Sequence, residues 1–393
     1  MDYQTIAAIL FIALMTYLVI KNKDKVKIQG YFPLLYFVMY RTKLGLNLME
    51  NTAKKFPKFL KWVAYAGVFI GFLGMIFISI NLVWNIVMMF KAPAAQAGVA
   101  LVLPFKMKGS FYVPFFYWII SIFILAVIHE FSHGVIARVY NIKVKSSGFA
   151  FLGIFAPVIP AAFVEPDEKQ VEEKSAGARL SMFAAGPFSN IAFAALVALL
   201  FSLLLTPVVN SVFEPDGITV GGYVKDNFTF PAEAANISKG EVIMKINDIA
   251  VPSIENFTSE LDKTAPGQKI TVETNISKYQ VTLAEDPANE NRSYLGIYVR
   301  QNTKVSEDFK DRYGTIATAS IIWIIGLFYW LYVLNLGIGL FNLVPIGPLD
   351  GGKMLHTVLH KYLREDIAFK VWKFVSGFFL FLILIIILFA FLK

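Results

Sequence analysis

Apolar residues gather along this chain into six long blocks, at about 3–20, 62–90, 111–140, 179–208, 315–345 and 371–392, separated by polar stretches. Each block supplies the roughly 20 mostly apolar residues that a helix needs to cross a bilayer. The third is long enough to tilt or to project beyond the hydrocarbon. A further apolar run, "YFPLLYFVMY" at 31–40, is too short to span and reads as an interfacial segment. Between the fourth and fifth blocks the pattern changes. Residues 210–310 are polar, with short alternating runs such as "EVIMKIND" and "KITVETN" broken by Gly, Pro and Asn. That alternation belongs to a small β-rich soluble domain. The pattern therefore predicts an α-helical polytopic membrane protein of about six transmembrane helices with one inserted small α+β domain.

Composition agrees with the pattern and narrows the chemistry. Of 393 residues, 56% are hydrophobic and only 16% charged, with a mean hydropathy of +0.60. Soluble domains carry nearer a quarter charged residues, so the lipid bilayer is the medium of most of this chain. There are no cysteines, which excludes disulfides, thiolate catalysis and cysteine-ligated metal. The net charge of +8 raises the question of nucleic acid, but its distribution answers it. Residues 210–314 carry 11 Lys/Arg against 16 Asp/Glu, and the positive excess lies in loops beside apolar blocks. That is the pattern of membrane topology and not of phosphate recognition, so no nucleic-acid partner is expected.

The loop charges also predict orientation. Residues 21–61 contain ten Lys/Arg, 141–178 four and 350–370 four, against three in the opposite short loop at 91–110. The positive-inside rule puts the first three in the cytoplasm and both termini outside. The first block follows Met-Asp without a basic leader and shows no small-residue cleavage site before "KNKDKVK", so it reads as a retained anchor. The polar domain falls outside the cell and holds five N-x-S/T sequons, at Asn227, Asn236, Asn256, Asn275 and Asn291. An Asn- and Thr-rich domain also collects such triplets by chance.

Candidate chemistry enters with the third block. It contains "HEFSH", two of the chain's four histidines with a glutamate between them. His129 and His133 are four residues apart, so on a helix they share one face, and Glu130 is adjacent to the first of them. Ionisable residues inside an apolar span are costly and mark function by default. The H-E-x-x-H spacing fits two zinc ligands and a general base. The bland alternative is a pair of buried histidines satisfied by neighbouring carbonyls. A catalytic zinc usually takes three protein ligands, and two segments compete to supply the third. One is "FNLVPIGPLDGG" (341–352), where two prolines and two glycines interrupt the helix around Asp350. The other is "HTVLH", His356 and His360, set among Lys353, Lys361 and Arg364. The predicted topology brings Asp350 to the same side of the membrane as the histidines.

Three motifs in order, "HEFSH", "AAGPFSN" (184–190) and "NLVPIGPLDGG" (342–352), resemble the site-2 protease family of intramembrane zinc metalloproteases. The G-x-x-x-N pattern falls on Gly186 and Asn190, and N-x-x-P-x-x-x-x-D-G on Asn342, Pro345, Asp350 and Gly351. By that resemblance His129, His133 and Asp350 are the Zn²⁺ ligands and Glu130 the general base. Asn190 steadies the substrate carbonyl or oxyanion, with Asn342 and Gly186 contributing to substrate binding. The loop "KSSGFAFLGIFAPVIPA" (145–161) resembles the family's membrane-dipping β-hairpin, which offers a strand edge to an unwound substrate helix. The inserted domain has its own resemblance: residues 221–257, above all "PAEAA" and "KGEVIMKIND", are similar to the PDZ domains of membrane proteases. Peptide binding or steric filtering is implied, although "GGYV" only loosely resembles a carboxylate-binding loop.

The resemblance implies hydrolysis of peptide bonds within or near the membrane spans of transmembrane protein substrates. It also implies a multi-pass protein of the cell membrane, its active site toward the cytoplasm and its PDZ-like domain outside. The alternative is a transporter or scaffold with a metal at the same cluster. A transporter is expected to show paired broken helices, and only the segment 342–352 is broken. The expected organisation is 1–110, two helices and a basic loop; 111–208, the catalytic core; and 209–310, the PDZ-like domain. Residues 311–352 complete the core and 353–393 form a juxtamembrane segment and last helix.

Overall fold

A computed structural model describes residues 3–22, 26–31, 35–91, 100–154, 156–224, 229–287 and 289–392. From the N-terminus, helix α1 (Tyr3–Lys21) leads to strands β1 (Val26–Tyr31) and β2 (Leu35–Thr42), then helices α2 (Leu46–Lys55) and α3 (Pro57–Lys91). Short strands β3 (Leu101–Leu103) and β4 (Ser110–Tyr112) precede α4 (Phe115–Val139). The hairpin β5 (Val144–Ile154) and β6 (Ala156–Pro166) follows, and α5 (Glu168–Glu172) joins it to α6 (Ala176–Leu200). One π-helical turn at Phe201–Leu205 then leads to α7 (Thr206–Val212). Strand β7 (Phe213–Tyr223) and helix α8 (Pro231–Ala234) open the β-rich region. It continues with β8 (Val242–Ile246), β9 (Ile249–Ala250), α9 (Ile254–Asp262), β10 (Lys269–Thr274) and β11 (Lys278–Thr282). Strands β12 (Ala284–Asp286), β13 (Asn289–Tyr294) and β14 (Ile297–Val305) and helix α10 (Glu307–Tyr313) complete it. Three helices end the chain: α11 (Thr315–Phe341), α12 (Asp350–Tyr362) and α13 (Glu365–Leu392).

Among the described residues six helices are long and apolar enough to cross a membrane: Tyr3–Lys21, Pro57–Lys91, Phe115–Val139, Ala176–Val212, Thr315–Phe341 and Glu365–Leu392. They coincide with the six apolar blocks of the sequence. The chain divides into two compact units, one of residues 1–201 and 326–393 and one of 202–325.

In the first unit, a row of glycines lets α3 come close to its neighbours. A Cβ on Gly67 would press on Phe188, one on Gly71 on Met354, and one on Gly74 would lie 2.5 Å from a Leu343 methyl. Spaced three and four residues apart, these glycines form one face of α3, against α6 and the segment around α12. The same unit holds an antiparallel four-stranded sheet of order β1-β2-β5-β6. The short apolar run at 31–40 forms no span: Leu35–Thr42 is a strand, paired with β1 on one side and β5 on the other. Tyr36 and Val38 are buried and Phe37 between them is exposed, the alternation that a sheet with one covered face selects. Residues 32–34 lie outside the described residues. The hairpin expected at 145–161 is present as β5 and β6, and β6 ends the sheet, with residue 155 outside the described residues.

The second unit has a five-strand path of order β11-β10-β8-β7-β14, with β9 paired to β8. Its core is built from inward-facing aliphatics: Ile218 and Val220 on β7, Ile243 and Ile246 on β8, Ile270 and Val272 on β10, covered by Phe257 and Leu261 of α9. Burying each such side chain stabilises by about 1.5–3 kcal/mol before the entropy of ordering is counted. "GGYV" is not a loop at its start: Gly221–Tyr223 belong to β7, opposite Tyr298 and Ile297 of β14.

Candidate metal centre

Four local features bring the site together. The first is helix α4, whose pitch stacks His129 and His133 on one face, their rings 4.7 Å apart. The second is the segment from Asn342 to Asp350, which leaves α11 as a closed loop. Gly351 N–H donates back to Asn342 O at 2.8 Å. Gly351 and Gly352 must lack side chains here, because a Cβ would lie about 2 Å from the carbonyl oxygens of Leu343 and Ile346. Trp372 Nε1 donates to Gly352 O and Ser376 Oγ to Pro345 O, so α13 braces the loop from outside. Asp350 thereby opens α12 as its first residue, where the helix dipole favours a carboxylate.

The third feature is α6. A Cβ on Gly186 would lie 2.4 Å from His133 Nε2 and 2.5 Å from His129 Nε2, so only glycine leaves room for the two imidazoles. Pro187, inside the same helix, has no N–H for the carbonyl four residues back and loosens the turn. That carbonyl is Phe183 O; one residue earlier, Met182 O accepts from His133 Nδ1 at 2.7 Å. The fourth is strand β6, whose Val164 N–H donates to Glu130 Oε2 at 2.8 Å.

The result is a compact donor set. His129 Nε2, His133 Nε2 and Asp350 Oδ2 lie 3.1 Å from one another in all three pairs. Among the described residues this is the group of His, Asp and Glu side chains able to hold a metal ion. His129 and Asp350 are buried, at 8% and 5% exposure. His356 and His360, the competing pair, pack against each other, with His356 edge-on to Trp372, and do not reach the cluster. Asp350 is the side chain that meets the two histidines.

The donor chemistry fits a metal ion. Because His133 Nδ1 has only a carbonyl to bond to, it carries the proton, and Nε2 presents a lone pair to the centre. Asp350 Oδ2 presents another. Lone pairs converging in a buried place repel unless a proton or a cation sits between them. The 3.1 Å edges are near the roughly 3.3 Å separation of tetrahedral ligands bonded at about 2.0 Å.

A cavity of about 300 Å³ adjoins the cluster, lined by Glu130, Phe163, Met182, Asn342 and Lys353 among others. Glu130 and Asn342 therefore share the cavity with the histidines. Asn190 does not. It is fully buried, and its amide nitrogen lies 3.1 Å from His129 Nδ1. Two partners were invisible in the sequence and a third was read otherwise. The Val164 amide and the Met182 carbonyl are backbone groups, which no motif records. Lys353, read as one of a set of juxtamembrane charges, places Nζ 3.4 Å from Asp350 Oδ1 and lies over the Phe183 ring. Its position three residues after Asp350 on a helix was the available signal.

Comparison with known proteins agrees with this geometry. Residues 117–386 match the family model of peptidase family M50. An uncharacterized protein of Methanocaldococcus jannaschii is 29% identical over 356 residues, which are 89% of this chain and 85% of that protein. The zinc metalloprotease RasP of Shouchella clausii is 24% identical over 239 residues, 50% of this chain and 54% of its own length. A solved PDZ domain, from the SdrC-like protein of Listeria monocytogenes, aligns with 21% of this chain and 87% of its own at 22% identity. Its TM-score of 0.19 is too low to bear on the fold. The match to residues 117–386 spans the H-E-x-x-H helix, the G-x-x-x-N helix and the Asp350 loop, and the chain belongs to peptidase family M50.

Proposed function

We propose that this chain is a zinc metalloendopeptidase of the site-2 protease type, hydrolysing peptide bonds within or near the membrane spans of transmembrane protein substrates. The observation that carries the reading is the convergence of His129, His133 and Asp350 at the wall of a cavity that also holds Glu130. These three side chains would hold zinc, which when bound would supply Lewis acidity and lower the pKa of a water toward neutrality. Glu130 accepts the water's proton and later delivers it to the leaving amine. Its Oε2 is held by Val164 N–H, which fixes the carboxylate's direction and leaves Oε1 for proton transfer. Asn342 lines the same cavity, which supports a role as donor to the substrate carbonyl.

Strand β6 lies at the edge of its sheet beside Glu130, which supports presentation of an unwound substrate segment by strand addition. A helix hides its amides in its own hydrogen bonds, so a cleavable segment has to be extended first. The loop charges support a site toward the cytoplasm and a β-rich unit outside the cell. In that unit β14 ends the strand path and has α9 nearby, the place for peptide binding or filtering by a PDZ-like domain.

The test is purified Glu130→Gln protein, assayed on a single-span reporter containing a helix-weakening Gly-Pro pair. It is expected to keep stoichiometric zinc and to lose cleavage, because an amide cannot take the proton. Cleavage at the parent rate would remove Glu130 as the base and with it the mechanism.

A further inference from the structure

The G-x-x-x-N asparagine is set apart from the substrate. Asn190 is fully buried in α6 and is not among the residues that line the metal cavity. A Cβ on Gly339 of α11 would stand 3.1 Å from its Cβ, so α11 closes over it from the other side. Its side-chain contact is with His129 Nδ1, at 3.1 Å through the amide nitrogen, while Oδ1 is buried and has no hydrogen-bond partner. No donor fixes Oδ1 where it stands, and the two ends of a carboxamide exchange places by a half-turn.

The orientation matters for His129. If the amide nitrogen donates to Nδ1, then Nδ1 is the unprotonated nitrogen and the ring proton is on Nε2, which points at His133 Nε2 and Asp350 Oδ2. That tautomer cannot ligate a metal through Nε2. Turned over, Oδ1 accepts a hydrogen bond from Nδ1–H and Nε2 keeps its lone pair for the centre. His133 already has this arrangement, with Met182 O in the accepting position. We propose that Asn190 is a positioning residue, its carbonyl oxygen fixing the metal-ligating tautomer and ring direction of His129, and that it does not touch the substrate. The pair Met182 O and Asn190 Oδ1 then performs one task twice, once for each histidine.

This inference rests on the peptidase reading, and its test separates the two. Zinc affinity of the purified full-length chain is measured by competition with a chromophoric chelator, alongside cleavage of the single-span reporter. Asn190→Ala is expected to weaken zinc binding about 10- to 100-fold, the usual cost of losing a partner behind a metal ligand. Asn190→Asp restores an acceptor for Nδ1–H and is expected to recover parental zinc affinity and most of the cleavage. A carboxylate beside a developing oxyanion would do the reverse, so zinc at parental affinity with cleavage lost in both variants would overturn the proposal. Zinc affinity unchanged in Asn190→Ala would also overturn it, provided that His133→Ala lowers affinity in the same assay. If the parent and His133→Ala bind zinc equally poorly, the metal-site reading itself fails and the role of Asn190 falls with it.

Discussion

Each unit of this protein buries a carboxylate, and the two are handled in opposite ways. Glu241 in the β-rich unit is 4% exposed and surrounded by protein donors. Thr274 Oγ1 donates to it at 2.7 Å, Tyr279 Oη at 2.9 Å and Ser238 N–H at 2.9 Å. Burial pushes the Glu241 carboxyl up, but these hydrogen bonds outweigh it and hold the group below the usual carboxylate range. Asp350 is equally buried and has Lys353 Nζ 3.4 Å from its Oδ1, yet its Oδ2 faces imidazole nitrogens, and His133 has its ring proton committed to Met182 O. One cluster is complete as protein alone. The other has acceptors turned toward a common centre, where a cation would complete it. A buried acid by itself therefore says little, and what decides between architecture and chemistry is whether its neighbours are donors.

The comparison breaks most visibly at Asp350. Asp350→Ala is expected to lose stoichiometric zinc and to drop reporter cleavage below detection, because two histidines do not make a catalytic zinc site. Metal analysis of the purified variant checks this, and a variant that retained its zinc would place the third ligand elsewhere. The matching change at Glu241 should spare the metal and cost stability. Glu241→Gln weakens several charge-assisted hydrogen bonds and is expected to destabilise the β-rich unit by about 2 kcal/mol, read from denaturant unfolding, with zinc content unchanged. Loss of zinc in that variant would contradict the separation drawn here.

A subtler effect of the same group is its pH dependence. A carboxyl whose pKa is lower in the folded state contributes stability that is fully present above its unfolded pKa, about 4.3 for Glu. That contribution is lost as pH falls through the depressed folded value. The parent is thus expected to lose stability below about pH 4.3 through this group, and Glu241→Gln to lack that component. Melting curves of both proteins from neutral pH downward measure it, and parallel curves would contradict it. The smallest effect is expected at the second histidine pair. His356→Ala combined with His360→Ala should leave zinc stoichiometry unchanged and cleavage within about twofold, since these rings reach the metal cluster only indirectly, through Trp372, whose bond to Gly352 O both variants keep.

Much of this was legible in the sequence because it rests on periodicity. The six spans follow from block length, and His129, Glu130 and His133 from helical spacing. Asp350 could be favoured over His356 and His360 because the prolines and glycines around it break the helix. The strand at Leu35–Thr42 was not legible: its ten-residue apolar run hides an alternation that only becomes visible once Tyr36 and Val38 are seen to be buried and Phe37 exposed. Glu130's partner is a main-chain amide, which leaves no trace in residue identity. Asn190 was legible as a motif but not as a position, since spacing on α6 does not say that its side chain meets His129 Nδ1 and stays out of the cavity lining. Among the sequon asparagines, Asn227 lies outside the described residues, while Asn236 and Asn275 have local tasks. Asn236 takes a left-handed turn conformation, and Asn275 Oδ1 accepts from Val242 N–H.

The most direct test of the central claim is X-ray absorption at the zinc edge on the purified Glu130→Gln chain, in which the ligands are intact and turnover is blocked. The account predicts one zinc per chain with two imidazole nitrogens and carboxylate oxygen at about 2.0–2.2 Å in the first coordination sphere. A zinc without histidine in that sphere, or a folded chain that takes up no zinc, would contradict it.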